Sequence, residues 1–161
     1  MDYLWSPWRY RYISTADAAT GCIFCTAAEE TRKDEENLVV WRGRRLFVIL
    51  NRYPYTSGHL MIVPYAHVAT LEELPDETLT DMALATRDAV KHLRATYRPE
   101  GLNIGMNIGK CAGAGIAGHV HTHVLPRWTG DANFMSVVGE TRVLPEDLAE
   151  TYRKLSRAWR G

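Results

Sequence analysis

Asn107-Ile-Gly109-Lys-Cys-Ala-Gly113-Ala-Gly115-Ile-Ala-Gly118-His119-Val-His121-Thr-His123-Val-Leu-Pro-Arg-Trp128 joins a glycine-rich loop to three histidines at alternate positions. Alternation of this kind is the period of a β-strand, so the three imidazoles are expected on one face and Val120, Thr122 and Val124 on the other. Half of the six histidines of the chain fall in these five residues. Four glycines in ten residues directly before them favour close approach of backbone N–H groups to a ligand, although turns alone also use glycine. Imidazole is a competent nucleophile toward phosphorus near neutral pH, provided an acceptor for its second nitrogen fixes the tautomer; a backbone carbonyl on the same strand could serve. Three uses of the histidines compete: idle structural imidazoles, a pure metal site, or a divided strand with one structural, one nucleophilic and one substrate-contacting histidine.

Working outward, strands precede and flank this stretch. Leu38–Trp41 and Leu46–Leu50 read as a hairpin around a basic turn, Arg42-Gly-Arg-Arg45. Asn51–Gly58 is a loop, His59–Pro64 a further strand ended by proline, and Leu102–Asn107 a short strand feeding the glycine loop. Helical spacing runs from Glu72 to Tyr97 with Pro75-Asp-Glu at its start, and His92 within it faces solvent or packs. Beyond Trp128 come a polar turn and the stretch Phe134–Val138. Pro145-Glu-Asp147 opens a last helix with Leu148, Tyr152, Leu155 and Trp159 on one face. The order predicts a single α+β domain over residues 1–161, with a mainly antiparallel sheet, one long helix and one C-terminal helix.

Composition excludes several classes. Lys and Arg balance Asp and Glu at 19 each in 161 residues, so no net field calls for nucleic acid or an anionic membrane. No apolar run approaches the ~18 residues of a membrane span. The N-terminal arm, residues 1–20, carries Tyr3, Trp5, Trp8, Tyr10 and Tyr12 around Pro7 and is not a secretory signal. Its aromatics read first as a plug for the core or a subunit contact, with a lid over a nucleotide base as the alternative. Cytoplasmic residence is expected. Cys22-Ile-Phe-Cys25 then suggests metal binding rather than redox chemistry, because nothing strand-like precedes it. Two ligands do not complete a zinc site. The charged run Glu29–Asn37 after it reads as a solvated helix end or loop, and His67 as a lone histidine past a strand end.

The segment His119-Val-His121-Thr-His123-Val-Leu125 resembles the signature of the histidine-triad superfamily of nucleotide hydrolases and transferases. The segments Pro126–Met135, Asp2–Arg9 and Gly21–Cys25 extend the resemblance to its bacterial diadenosine tetraphosphate phosphorylase-like branch. The resemblance implies His121 as nucleophile, forming a nucleotidyl-imidazole, and His123 as the group that hydrogen-bonds the α-phosphate. It implies a zinc ion held by Cys22, Cys25, His67 and His119, a closed Cys₂His₂ set and therefore structural. Asn51 matches the residue that holds a ribose hydroxyl, and Asn107 a substrate-positioning asparagine one residue further from the triad than in many relatives. Ala114, Gly115 and Trp128 complete the implied substrate contacts. Many hydrolytic members carry a glutamine shortly before the first histidine, but Gly113-Ala114-Gly115-Ile116 has no amide or hydroxyl side chain, which fits an incoming phosphate or nucleotide acceptor.

The implied reaction is cleavage of diadenosine tetraphosphate to ADP and ATP with phosphate as acceptor, by a homodimer whose Trp128 or N-terminal arm lies near the partner's site. A hydrolase of the same superfamily, a non-catalytic nucleotide-binding protein and a catalytic His₃ metal centre are the alternatives.

Overall fold

A computed structural model describes residues 21–131 and 144–160. The aromatic arm and Phe134–Val138 lie outside the described residues. Within them, α1 spans Ile23–Glu29, α2 Asp34–Asn37, β1 Val39–Arg42, β2 Leu46–Leu50 and β3 Leu60–Pro64. The long helix α3 runs Asp76–Tyr97, β4 Gly101–Gly105, β5 Thr122–Arg127 and α4 Leu148–Arg160. The five strands form one sheet in the order β1-β2-β3-β5-β4, and every pair is antiparallel. The expected α+β architecture with its long and C-terminal helices is therefore present.

Both faces of the sheet centre are covered. All five residues of β2 and all five of β3 are buried, with Phe47, Val48, Leu60 and Ile62 at 0% exposure. α3 packs against β2, β3 and β5, and α4 against α3 and β1. Gly58 shows how closely α3 approaches the loop before β3. Its φ is +81°, and a Cβ there would lie 3.0 Å from the Tyr97 ring and 3.1 Å from Leu93. α4 enters with Asp147 Oδ1 accepting the Glu150 N–H at 2.7 Å. It buries Tyr152 and Leu155, and Trp159 lies 4.3 Å from the His92 ring, so His92 packs.

Two sequence expectations need correction. Arg42 is the last residue of β1 rather than the first of the basic turn. Its guanidinium donates to the Ala27 and Ala28 carbonyls at 2.6 and 3.2 Å and to Asp34 at 2.7 Å, so it ties the C-terminal end of α1 to the sheet. Regular pairing of the histidine segment begins only at Thr122, leaving His119 and His121 ahead of the ladder. Pro64 opposite has no N–H to offer, and its carbonyl accepts a hydrogen bond from the His119 ring at 2.8 Å. The Val120 N–H turns instead to the Val68 carbonyl at 2.8 Å, which draws the loop carrying His67 beside His119.

Candidate active site and metal centre

Strand alternation builds the pocket floor. Register places Ile49 opposite Met61, Met61 opposite His123, and His123 opposite Gly105, one lateral row across β2, β3, β5 and β4. His59 and His121 continue the same odd-numbered face at the strand ends. Over this row lies a cavity of about 620 Å³. Ile23, Phe24 and Ala27 of α1, with Leu38 and Ile49, form its apolar side; Asn51, Asn107, Gly113, Gly115, His121 and His123 form its polar side.

The hydrogen bonds fix the tautomer of each imidazole. His121 is 4% exposed, and its Nδ1 lies 2.8 Å from the His119 carbonyl, which can only accept. His121 therefore carries its proton on Nδ1 and presents a lone pair on Nε2. Burial lowers its pKa from the ordinary value of 6.5, against the opposing hydrogen bond to His119, so the neutral form dominates. The Tyr55 N–H donates to His59 Nδ1 at 3.2 Å. His59 Nε2 must then carry the proton, and it donates to His123 Nδ1 at 2.9 Å. His123 is left with its own proton on Nε2. A backbone carbonyl partner of the kind expected from the sequence thus exists for the His121 ring, and the buried His59 is an unforeseen member of the set.

His119 belongs to a different environment. Its Nε2–H donates to Pro64, so Nδ1 has a lone pair, 3.4 Å from Cys22 Sγ and 3.8 Å from Cys25 Sγ. His67 Nδ1 lies 3.2 Å from Cys25 Sγ. One donor atom from each of Cys22, Cys25, His67 and His119 falls within 4.8 Å of all the others. Two thiols and two imidazoles, one with its tautomer already set for ligation, fit a tetrahedral zinc ion with no position left for substrate. Burial, then the neighbouring Cys22, pushes the Cys25 thiol above its ordinary range, so metal binding would release protons. His121 is not in this cluster, which goes against a catalytic His₃ centre.

The remaining sequence candidates divide. Asn51 and Asn107 line the cavity: Asn51 Oδ1 accepts the Tyr53 N–H at 2.9 Å, and Asn107 Nδ2 donates to the Gly113 carbonyl at 3.4 Å. Gly115 lines the cavity, whereas Ala114 is 3% exposed with its N–H directed to the Gly109 carbonyl at 3.3 Å. In the glycine loop, Gly109 and Gly113 have φ of +84° and +85°, which explains glycine there by the turn itself. Trp128 stands at the opposite end of β5 from the histidines, edge-on to the Tyr97 ring at 6.5 Å, and is not part of this chain's cavity. Sequence reasoning missed His59, Phe24, Tyr53 and Tyr55. A histidine opening an otherwise apolar strand was the signal for the first, and the apolar pair inside Cys-x-x-Cys for the second.

Comparison with known proteins gives the family and the fold. A family model described as the HIT domain matches residues 32–130. The AP-4-A phosphorylase of Mycobacterium tuberculosis is 40% identical over 167 aligned positions, covering 99% of this chain and 85% of that protein. A hypothetical histidine triad nucleotide-binding protein of Sulfolobus tokodaii superposes with a TM-score of 0.67 at 25% identity, covering 86% of this chain and 89% of the other. A zinc-bound histidine triad family protein of Mycobacterium smegmatis superposes with a TM-score of 0.61 at 24% identity, over 92% and 91% of the two chains. With a HIT-domain match over more than half of its length, the chain belongs to the HIT-domain, or histidine-triad, family.

Proposed function

We propose that the protein is a nucleotidyltransferase that cleaves diadenosine tetraphosphate through a nucleotidyl-His121 intermediate and passes the adenylyl group to phosphate. The observation that carries this is His121 itself: a buried, neutral imidazole on the cavity wall with Nδ1–H bound to the His119 carbonyl and Nε2 left as nucleophile. The kinship with AP-4-A phosphorylase supports the choice of substrate.

The apolar side of the cavity suits an adenine, and Asn51 the ribose hydroxyls. His121 Nε2 forms a bond to the α-phosphorus while the bond from that phosphorus to the bridging oxygen breaks, and ATP leaves with the electron pair. His123 offers its Nε2–H to the phosphoryl oxygens as charge builds on them, its orientation held through His59. The nucleotidylated ring is cationic, and the His119 carbonyl stabilises it. A phosphate oxygen then attacks the phosphorus, the N–P bond breaks, neutral His121 returns and ADP is released. Gly113 and Gly115 leave room on the cavity wall for that acceptor, where a glutamine would stand in many hydrolytic relatives.

A zinc ion on Cys22, Cys25, His67 and His119 would cross-link α1 to the loops after β3 and before β5, and takes no part in the transfer. The same reading gives one domain, working in the cytoplasm, where Cys22 and Cys25 stay reduced. It also gives a homodimer. β4 is an outer strand of the sheet with Asn103 and Gly105 exposed and Ile104 52% exposed, an open edge suited to antiparallel pairing with its own copy. Such pairing would bring the partner's β5 end, with its Trp128, toward the Gly105 end of this chain's pocket.

The experiment is incubation of the protein with diadenosine tetraphosphate, with and without phosphate, and analysis of the nucleotides formed. ADP and ATP that depend on phosphate are expected. AMP and ATP regardless of phosphate would replace phosphorolysis with hydrolysis, and undiminished turnover by His121→Ala would remove the nucleophile assignment.

A further inference from the structure

The two residues between the cysteines belong to the pocket rather than to the metal cluster. Phe24 is fully buried, with its ring centroid 4.9 Å from that of His121 and 5.3 Å from that of His119. Ile23, though 52% exposed, lines the cavity. α1 therefore carries metal donors on one side of its first turn and cavity wall on the other. A helix of seven residues is far too short to hold itself in water, where about 12–15 are needed even for good helix formers.

Phe24 and Ala27 bury one face of it in the core, and its polar anchors lie at the two ends. The C-terminal end is tied by the guanidinium of Arg42. The N-terminal end begins at Cys22, which makes no side-chain capping hydrogen bond, and the first turn approaches His67 and His119 through the two sulfurs. Thiols facing imidazoles at 3.2–3.8 Å are weak hydrogen bonds, so the metal is the strong link available there.

We infer that metal occupancy of the Cys22–Cys25–His67–His119 centre sets how tightly the pocket holds a nucleoside monophosphate, because the turn that closes the metal is the pocket's apolar wall. The inference rests on the nucleotide reading of the cavity. With zinc bound, Ile23 and Phe24 are fixed against the base and against His121; without it, the first turn frays and the wall loosens. Coupling of binding free energies is reciprocal, so a nucleotide in the pocket strengthens retention of the metal by the same factor.

AMP and the full-length chain make the test. Equilibrium dialysis measures AMP binding to zinc-loaded protein, to protein stripped with a chelator, and to stripped protein given zinc back, with zinc content and far-UV circular dichroism followed in parallel. Stripping is expected to weaken AMP binding about ten-fold, and zinc to restore it. Equal affinity with and without zinc overturns the coupling and leaves the nucleotide reading standing; failure of the zinc-loaded protein to bind AMP overturns both. Where stripping also unfolds the chain, the reciprocal arm decides: zinc retention by the folded protein is measured against a competing chelator with and without AMP. Retention strengthened about ten-fold by AMP supports the inference, and equal retention overturns it.

Discussion

His119 and His121 stand two residues apart on one short segment, yet each serves a different centre. The ring of His119 turns to sulfurs that lie 94 and 97 residues away in sequence, and its companion His67 is exposed. The ring of His121 turns into a cavity that His123 of β5 also lines, with His59, just ahead of β3, hydrogen-bonded to His123. One cluster is closed, with four donor atoms around a point; the other is open, with His121 on the wall of a cavity. The contact between them is direct, because the carbonyl of His119 fixes the proton of His121 and the Phe24 ring lies against both. Neighbouring residues of one type take opposite roles when local hydrogen bonds decide which ring nitrogen keeps its proton.

Removing the open centre's lone pair is the strongest way to break the contrast. His121→Ala is expected to lower turnover of diadenosine tetraphosphate by about a thousand-fold or more, with zinc content and melting temperature near those of the parent. Coupled loss of zinc in that variant would merge the two centres. Cys25→Ser attacks the other side, and metal analysis should find zinc near background with a melting temperature lower by roughly 10 °C. An unchanged melt would show that the closed centre does not cross-link the fold.

His59→Ala probes the tautomer chain inside the open centre. Steady-state kinetics should show kcat reduced about a hundred-fold with KM little changed, since the phosphate donor is misoriented rather than lost. A pure KM effect would place His59 in substrate binding instead. The smallest effect concerns pH. Burial disfavours the His121 imidazolium, so the neutral nucleophile persists in acid and the acid limb of kcat/KM lies below the ordinary 6.5. The same sign holds for stability: the unfolded chain takes up protons first, so folding weakens as pH falls below about 6.5. A limb above 6.5 would assign it to another group.

Much of the fold could be read from local pattern. The hairpin of β1 and β2 follows from two short runs of branched and aromatic residues around a basic turn, and the long helix after Pro75 and the apolar face of α4 follow from a period of about 3.6. The boundary of β5 could not, because it depends on Pro64, 58 residues earlier than Thr122, having its carbonyl engaged by the ring of His119. Arg42 illustrates the same limit: in the sequence it reads as one residue of a basic turn, and only the docking of α1 makes it a helix anchor. His59 and Phe24 each stand out locally, as a polar residue before an apolar strand and an apolar one between cysteines, but register and helix docking decide what they touch.

The sequence by itself determined that three imidazoles lie beside a glycine loop and that their family resemblance divides them between metal and chemistry. Only the tertiary structure decided how that division is enforced. A tautomer depends on which acceptor reaches which nitrogen, and the acceptors here are backbone carbonyls and a strand neighbour brought within 3 Å by folding. Residue type and spacing carry the identity of a donor, whereas the direction of its lone pair is a property of the assembled fold.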